Sequence, residues 1–144
     1  MPRAYWLLKT EPNEFSYDDL VRHGWTHWDG VRNYQARANL QRMAVGDWAL
    51  IYHSVGPKEV VGIAEVSKAA YPDPTVKEDQ NPWVVIDVKP LKAFTTPVTL
   101  ATIKATPSLA DIPLVRQSRL SVMPLEADIF ALLCELGGTT VPFE

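Results

Sequence analysis

The chain has 144 residues, of which 47% are hydrophobic and 22% are charged, and its net charge is −3. These values predict one globular domain over residues 1–144, and the acidic balance argues against bulk, non-specific binding of nucleic acid. No apolar run approaches the roughly 20 residues that span a bilayer, and the N-terminal stretch lacks the features of a signal peptide. We therefore expect an intracellular, cytoplasmic protein with no membrane partner.

The cysteine and histidine content predicts neither a disulfide nor a metal site. Cys134 is the one cysteine in the sequence, which excludes an internal disulfide. His23 and His27 are four residues apart, but Gly24 interrupts the helix that would align them, and no cysteine or carboxylate completes a metal-binding set. We expect no metal and no cofactor.

The first elements are a strand and a capped helix. Residues 4–9 (AYWLLK) form a short apolar run typical of a buried strand. Ser16 is followed three residues later by Asp19, the spacing of a helix N-terminus, and Gly24 is a typical helix stop. This helix is predicted to bury Leu20 and Val21.

A loop and a second helix follow. Residues 25–32 show neither a helical nor an alternating period, and Asp29-Gly30 is a turn signal. Asn33 is placed to cap a helix from Tyr34 to about Met43. Its predicted buried stripe is Ala36, Leu40 and Met43.

The second half of the chain contains most of the predicted strands. They are Trp48 to Ser54, Val60 to about Lys68 as its hairpin partner, Trp83 to Lys89, and Arg119 to Met123. We also expect a helical turn from Leu100 to Lys104, an irregular segment from Pro113 to Gln117, and an amphipathic helix from Leu125 to Leu136. The predicted buried stripe of this last helix is Ile129, Phe130, Leu132, Leu133 and Leu136. Strands joined by hairpins with small helices between them predict an α+β fold, a closed or nearly closed mixed β-barrel of five to six strands.

Two segments concentrate positive charge. Residues 32–42 contain three arginines and no acid, and residues 112–125 contain Arg116 and Arg119 and again no acid. A protein that is acidic in total can still present one basic face, which would suit phosphate groups. The alternative is that these arginines are scattered over a solvated surface.

Candidate binding residues surround the first of these segments. Trp28 lies in a loop, where its ring could stack on a base or plug one end of the barrel. Asn33 and Tyr34 offer an amide and a hydroxyl that could read a base edge, although Asn33 also suits a plain helix cap. His53 and Ser54 at a strand end would rim a cavity, or His53 is simply hydrogen-bonded.

The sequence shows no catalytic arrangement. Ser54 and His53 are neighbours on a strand, so their side chains point to opposite faces and do not form a nucleophile–base pair. Cys134 lies among leucines and is expected to be an inert core thiol. We predict a recognition domain and not an enzyme.

Seven ordered motifs resemble the EVE domain family of the PUA-like superfamily. They are YWLLKTEP, WDGVRNYQARANL, GDWALIYHS, VVGIAEV, YPDPT, PVTLATIK and RQSRLSVMPL. The resemblance implies a PUA-like mixed β-barrel with peripheral short helices. It also implies a non-enzymatic reader whose pocket accepts a flipped, modified base, such as 5-methylcytosine or 5-hydroxymethylcytosine in DNA, or a modified base in RNA.

The resemblance also implies candidate site residues. For the base pocket these are Trp6, Lys9, Glu11, Trp28, Val31, Asn33, Tyr34, His53, Ser54 and Asp73. For the phosphate backbone they are Arg32, Arg37, Arg116, Gln117 and Arg119. A binding module for a small planar metabolite and a protein-interaction domain stay open as alternatives, and so do the base modification and the oligomeric state.

Overall fold

The computed structural model describes residues 3–77 and 80–139. The strands are β1 (Tyr5–Thr10), β2 (Thr26–His27), β3 (Trp48–His53), β4 (Glu59–Pro72), β5 (Val84–Thr99) and β6 (Val122–Leu125). The helices are α1 (Tyr17–His23), α2 (Tyr34–Arg42), α3 (Leu100–Ala105), α4 (Pro113–Arg116) and α5 (Ala127–Leu136). Within these ranges no helix is both long and apolar enough to cross a membrane.

All six strands form one mixed sheet in the order β2-β5-β4-β3-β1-β6. β1 runs parallel to β3, and the other pairs are antiparallel. The α+β class, the mixed sheet and the short helices confirm the prediction. The sheet is not closed, however: its ends are β2 and β6, and β2 has only two residues with which to pair.

β1 lies inside the sheet between β3 and β6, and this position explains its apolar run. Trp6, Leu7 and Leu8 are all buried, as expected for a strand covered on both faces. The strand ends at Lys9 and Thr10, which are only partly buried. The buried part of β1 therefore ends before Lys9, a candidate site residue.

Strands β4 and β5 are both longer than predicted. The expected ends at Lys68 and Lys89 are wrong, because the strands continue to Pro72 and Thr99. Their pairing contains several register shifts, for example between Val66 and Lys68. Each shift interrupts the alternation of buried and exposed side chains. The continuation of these strands could therefore not be predicted from an alternating sequence pattern.

Helix α1 is capped as predicted but buries a different face. Ser16 and Asp19 form a reciprocal capping box, and Gly24 ends the helix with a φ of +82°. Tyr17 and Leu20, three residues apart, are the buried residues. The prediction for Val21 is wrong: it is 52% exposed, because it lies about 100° around the helix from Leu20.

Three predictions for the last third of the chain also need correction. Residues 113–116 form a single helical turn with proline near its start instead of an irregular segment. The last strand is Val122–Leu125 and begins later than predicted, because Leu120 and Gln117 close a turn. In α5 the buried face is Phe130, Leu133 and Cys134, and Leu136 is 38% exposed.

Asp47 is a buried carboxylate that joins three parts of the fold. One oxygen accepts from the Ala4 backbone N–H, and the other accepts from the Trp6 indole N–H and the Ala44 backbone N–H, all at 3.0 Å. Asp47 is only 5% exposed. It therefore holds the start of β1 and the end of α2 against β3.

We predict that Asp47→Ala lowers the free energy of unfolding by about 3 kcal/mol or more, because it removes the acceptor of three N–H donors. Asp47→Asn keeps one carbonyl oxygen and should lose less. Urea denaturation measures both, with Asp128→Ala in the exposed first turn of α5 as the control. A loss in Asp47→Ala no larger than in the control would contradict this role.

Candidate functional site

The segment from β2 to the start of α2 carries five of the fifteen candidate residues, Trp28, Val31, Arg32, Asn33 and Tyr34. β2 pairs with β5, and the Trp28 backbone N–H donates to the Ile86 carbonyl at 2.8 Å. Gly30 then turns the chain with a φ of +80°, a conformation that glycine adopts without strain. The segment is therefore fixed to the sheet, although it is mostly irregular.

A cavity of about 390 Å³ opens beside Trp28. We name it the Trp28 cavity, and it is lined by Lys9, Thr10, Glu11, Glu14, Phe15, Thr26, His27, Trp28, Asp29 and Gly30. Trp28 is 7% exposed, and its ring meets Phe15 edge-to-face at 6.4 Å. The indole thus packs into the core and also forms part of the cavity wall.

Lys9 brings an ammonium group to this cavity from the end of β1. Its Nζ donates to the Ser118 carbonyl at 2.8 Å, so the lysine also connects the cavity to the loop after α4. Partial burial, and then the charge of Lys58, lower the pKa of Lys9. The cavity therefore contains a donor that is already partly desolvated.

Acceptors lie around the same cavity. Glu11, Glu14 and Asp29 are exposed carboxylates among its lining residues, and Asp29 lies 3.4 Å from the His27 ring. The Glu11 carbonyl accepts from the backbone N–H groups of Glu14 and Phe15, which shapes the loop after β1. Together with Lys9, these groups present both hydrogen-bond donors and acceptors to a polar ligand.

Arg32 is oriented by a buried carboxylate. Its Nη1 donates to Asp73 at 3.1 Å and to the Val31 carbonyl at 3.0 Å. Asp73 is 1% exposed and also accepts from the backbone N–H and the hydroxyl of Thr75. Burial would raise the pKa of Asp73, but the Thr75 hydrogen bonds and Arg32 outweigh it and hold the pKa below its usual value.

Tyr34 lies on the surface against Trp83. The ring centroids are 4.9 Å apart and the planes are inclined by 30°. Tyr34 is 62% exposed. The Arg37 guanidinium lies 4.9 Å from the Tyr34 ring centroid and donates to the Pro82 carbonyl at 3.0 Å, and Arg32 lies 5.6 Å from the Trp83 ring.

A smaller cavity of about 340 Å³ joins the start of α2 to the loop after α4. It is lined by Asn33, Gln35, Gln117, Ser118, Arg119 and Leu120. Asn33 caps α2, since its side chain accepts from the Ala36 backbone N–H at 2.9 Å. Arg116 lies outside this lining and pairs with exposed Asp111 at 2.9 Å, a surface contact that contributes little to stability.

Seven of the ten candidate pocket residues do not line the Trp28 cavity. Asn33, Tyr34 and Asp73 lie in the contacts described above, and the other four are Trp6, Val31, His53 and Ser54. Trp6 is in the core and binds Asp47, and Val31 is buried. His53 accepts from the Tyr17 backbone N–H at 3.1 Å, and Ser54 binds the Thr10 carbonyl through its own N–H. These four residues hold elements of the fold together and do not reach the cavity lining.

The structure adds residues that the sequence reading did not single out. Glu14, Phe15 and His27 line the Trp28 cavity, and Trp83, which the strand pattern assigns to the core, is the partner of Tyr34. Phe15 directly precedes the helix cap Ser16, a position where an apolar residue fixes the entry of the chain. The sequence therefore contained a local signal for Phe15, whereas no local pattern indicated that Tyr34 pairs with Trp83.

Comparisons with known proteins agree on one family. The model of the EVE domain matches residues 4–136. Thymocyte nuclear protein 1 of Mus musculus is 35% identical over 94% of this chain and 74% of its own length. A solved structure from Rhodopseudomonas palustris is 47% identical, with a TM-score of 0.88, over 94% of this chain and 93% of the other. Human THYN1 protein, solved in complex with 5-methylcytosine-containing DNA, is 30% identical, with a TM-score of 0.86, over 96% of this chain and 99% of the other.

We predict that acid weakens the fold through His53. Burial lowers the pKa of His53 below its usual 6.5, opposed by the charges of Glu59 and Asp18. The folded state thus favours the neutral ring. The contribution of neutral His53 to the free energy of unfolding is complete above pH 6.5 and is lost as pH falls through the pKa of the folded state. Protonation replaces the acceptor of the Tyr17 N–H with a donor, at a cost of about 1 kcal/mol.

Urea denaturation at several values between pH 8 and pH 5 tests this prediction. His53→Gln keeps an acceptor but does not titrate, so its stability should fall less than that of the wild type over this range. Parallel pH profiles for the two proteins would show that another group is responsible.

Proposed function

The chain belongs to the EVE domain family, and from this premise we propose that it binds nucleic acid by accepting a flipped, modified cytosine in the Trp28 cavity. The observation that carries the proposal is the likeness, over 96% of the chain, to human THYN1 protein solved with 5-methylcytosine-containing DNA. The cavity of about 390 Å³ is in the range of small-ligand sites. In this proposal the protein is a reader and not an enzyme.

The groups around the cavity match the edge of cytosine. Cytosine offers an amino group as donor, and its ring nitrogen and carbonyl oxygen as acceptors. A carboxylate of Glu11 or Glu14 can accept from the amino group, and Lys9 can donate to the acceptors. Thymine would direct a carbonyl oxygen towards the carboxylates, so this pairing favours cytosine over thymine.

The apolar wall supports recognition of the modification. Trp28 and Phe15 meet edge-to-face at the cavity, and an apolar wall of this kind can contact a 5-methyl group. Contact with one methyl group is worth about 1 to 3 kcal/mol, or a preference of about 10- to 200-fold. The cost of unstacking the base, a few kcal/mol, lowers the total affinity for modified and unmodified cytosine alike.

Positive groups near the cavity support contacts to the phosphate backbone. Arg32 and Arg37 lie beside the rings of Trp83 and Tyr34, and Arg119 lines the smaller cavity with Asn33 and Gln117. A few arginines arranged in this way can hold a strand even though the net charge of the chain is −3. The intracellular location predicted from the sequence stays part of the proposal.

Binding to matched oligonucleotides tests the proposal. We expect the wild type to prefer a duplex with one 5-methylcytosine over the unmodified duplex by about 10-fold or more. If Arg32, Arg37 and Arg119 each contact a phosphate, log Kd should change with log salt by a slope of about 3. Equal affinity for the two duplexes would contradict the proposal, and RNA strands with 5-methylcytosine test the RNA alternative.

Lys9 gives a sharper test with a matched control. Lys9→Met keeps the apolar stem but removes the donor, and we expect at least about a 10-fold loss of affinity for the 5-methylcytosine duplex. Lys58→Met removes an exposed charge that acts on Lys9 but does not line the cavity. Equal losses in the two variants would mean that only the long-range charge matters, and would exclude Lys9 as a base contact.

A further inference from the structure

The pair of Tyr34 and Trp83 forms an exposed aromatic surface outside the Trp28 cavity. The rings lie 4.9 Å apart at 30°, and Tyr34 is 62% exposed. Neither residue is among those that line the Trp28 cavity. We name this surface, with Arg32 and Arg37 beside it, the aromatic platform.

Both guanidinium groups of the platform are held in place, Arg37 by a neutral carbonyl and Arg32 by an ion pair with a buried carboxylate. Arg37 donates to the Pro82 carbonyl, which carries no charge. Arg32 is anchored by Asp73, which is 1% exposed, while the Arg32 side chain is 42% exposed. The buried Asp73 carboxylate orients the Arg32 side chain, and the exposed part of the guanidinium can bind an anion.

A cavity of about 530 Å³ adjoins the platform. Among the described residues it is lined by Arg32, Thr75, Val76, Lys77 and Trp83, so two cations and an indole meet there. An aromatic ring beside cationic side chains matches a nucleotide, whose base stacks and whose phosphate is anionic. An apolar protein segment would gain nothing from the two cations.

The chain limits how far the platform lies from the Trp28 cavity. Gly30 lines that cavity, and Tyr34 follows four residues later. Four residues extend over at most about 14 Å. Nucleotides in one strand are about 3.4 Å apart along a duplex, so the platform lies within about four nucleotide steps of the cavity.

We propose that the aromatic platform is a second binding site, which stacks a base flanking the flipped nucleotide of the same nucleic acid. The phosphate of that nucleotide lies against Arg32 and Lys77. This inference rests on the proposed function, because it needs a strand that is already bound at the Trp28 cavity. The platform carries no preference for the modification, since every base has a face that can stack.

Tyr34→Leu tests the platform, with Tyr34→Phe as the matched variant that keeps the ring. Both are titrated with the 5-methylcytosine duplex and the unmodified duplex after their thermal stability has been compared with the wild type. We expect Tyr34→Leu to weaken binding to both duplexes by the same factor, about 5- to 100-fold. Tyr34→Phe should bind within about 2-fold of the wild type.

A fluorescent base locates the contact. Duplexes carry 2-aminopurine at one of the four positions on either side of the 5-methylcytosine. Wild-type protein should quench one of these positions by stacking, and Tyr34→Leu should abolish that quenching. Quenching at no position would overturn the proposal.

The affinities separate this proposal from the proposed function. Tyr34→Leu with wild-type affinity for both duplexes would overturn the platform. Loss of the preference for 5-methylcytosine in Tyr34→Leu would also overturn it, because Tyr34 would then belong to the base pocket. Failure of the proposed function is seen in the wild type alone, as equal affinity for the modified and unmodified duplexes.

Discussion

The site depends on the burial of Trp28. The indole is 7% exposed and meets Phe15 edge-to-face, and the backbone N–H of the same residue binds β5 through Ile86. These contacts fix an irregular segment that would otherwise sample many conformations, because ordering its backbone costs conformational entropy. Gly30 of the cavity lining and Arg32, Asn33 and Tyr34 follow Trp28 within six residues of the chain. The attachment of Trp28 therefore fixes where this segment leaves the sheet, and Asp73 and Trp83 then position Arg32 and Tyr34.

The surface around this attachment combines opposite charges at different places. Carboxylates of Glu11, Glu14 and Asp29 lie at the cavity, while Arg32 and Arg37 lie beside exposed aromatic rings. The acids suit the amino group of a base and the arginines suit its phosphate backbone. A net charge of −3 is therefore compatible with a nucleic-acid partner, because in the proposed binding mode the two charges would act on different parts of the same ligand.

Local sequence patterns predicted much of the fold, but they could not predict contacts between residues that are distant in the sequence. Ser16, Gly24 and Asn33 act through neighbouring backbone groups, so their roles were readable from spacing. Trp28 was left between a stacking and a packing role. Its ring packs against Phe15 and lines the Trp28 cavity, and its stacking on a base stays a prediction. The pairing of Tyr34 with Trp83 joins residues 49 positions apart through bulged strands, and neither periodicity nor the family motifs contains that information.

One measurement tests the central claim directly: nuclear Overhauser effects from a ¹³C-labelled 5-methyl group of cytosine in a DNA duplex bound to the chain. If the base enters the Trp28 cavity, the methyl protons should show contacts to the ring protons of Trp28 or Phe15. The chemical shift of the methyl protons should also differ from that of a 5-methylcytosine stacked inside a duplex. Methyl contacts to Tyr34 or Trp83 instead, or a methyl group that stays stacked in the duplex, would contradict the account.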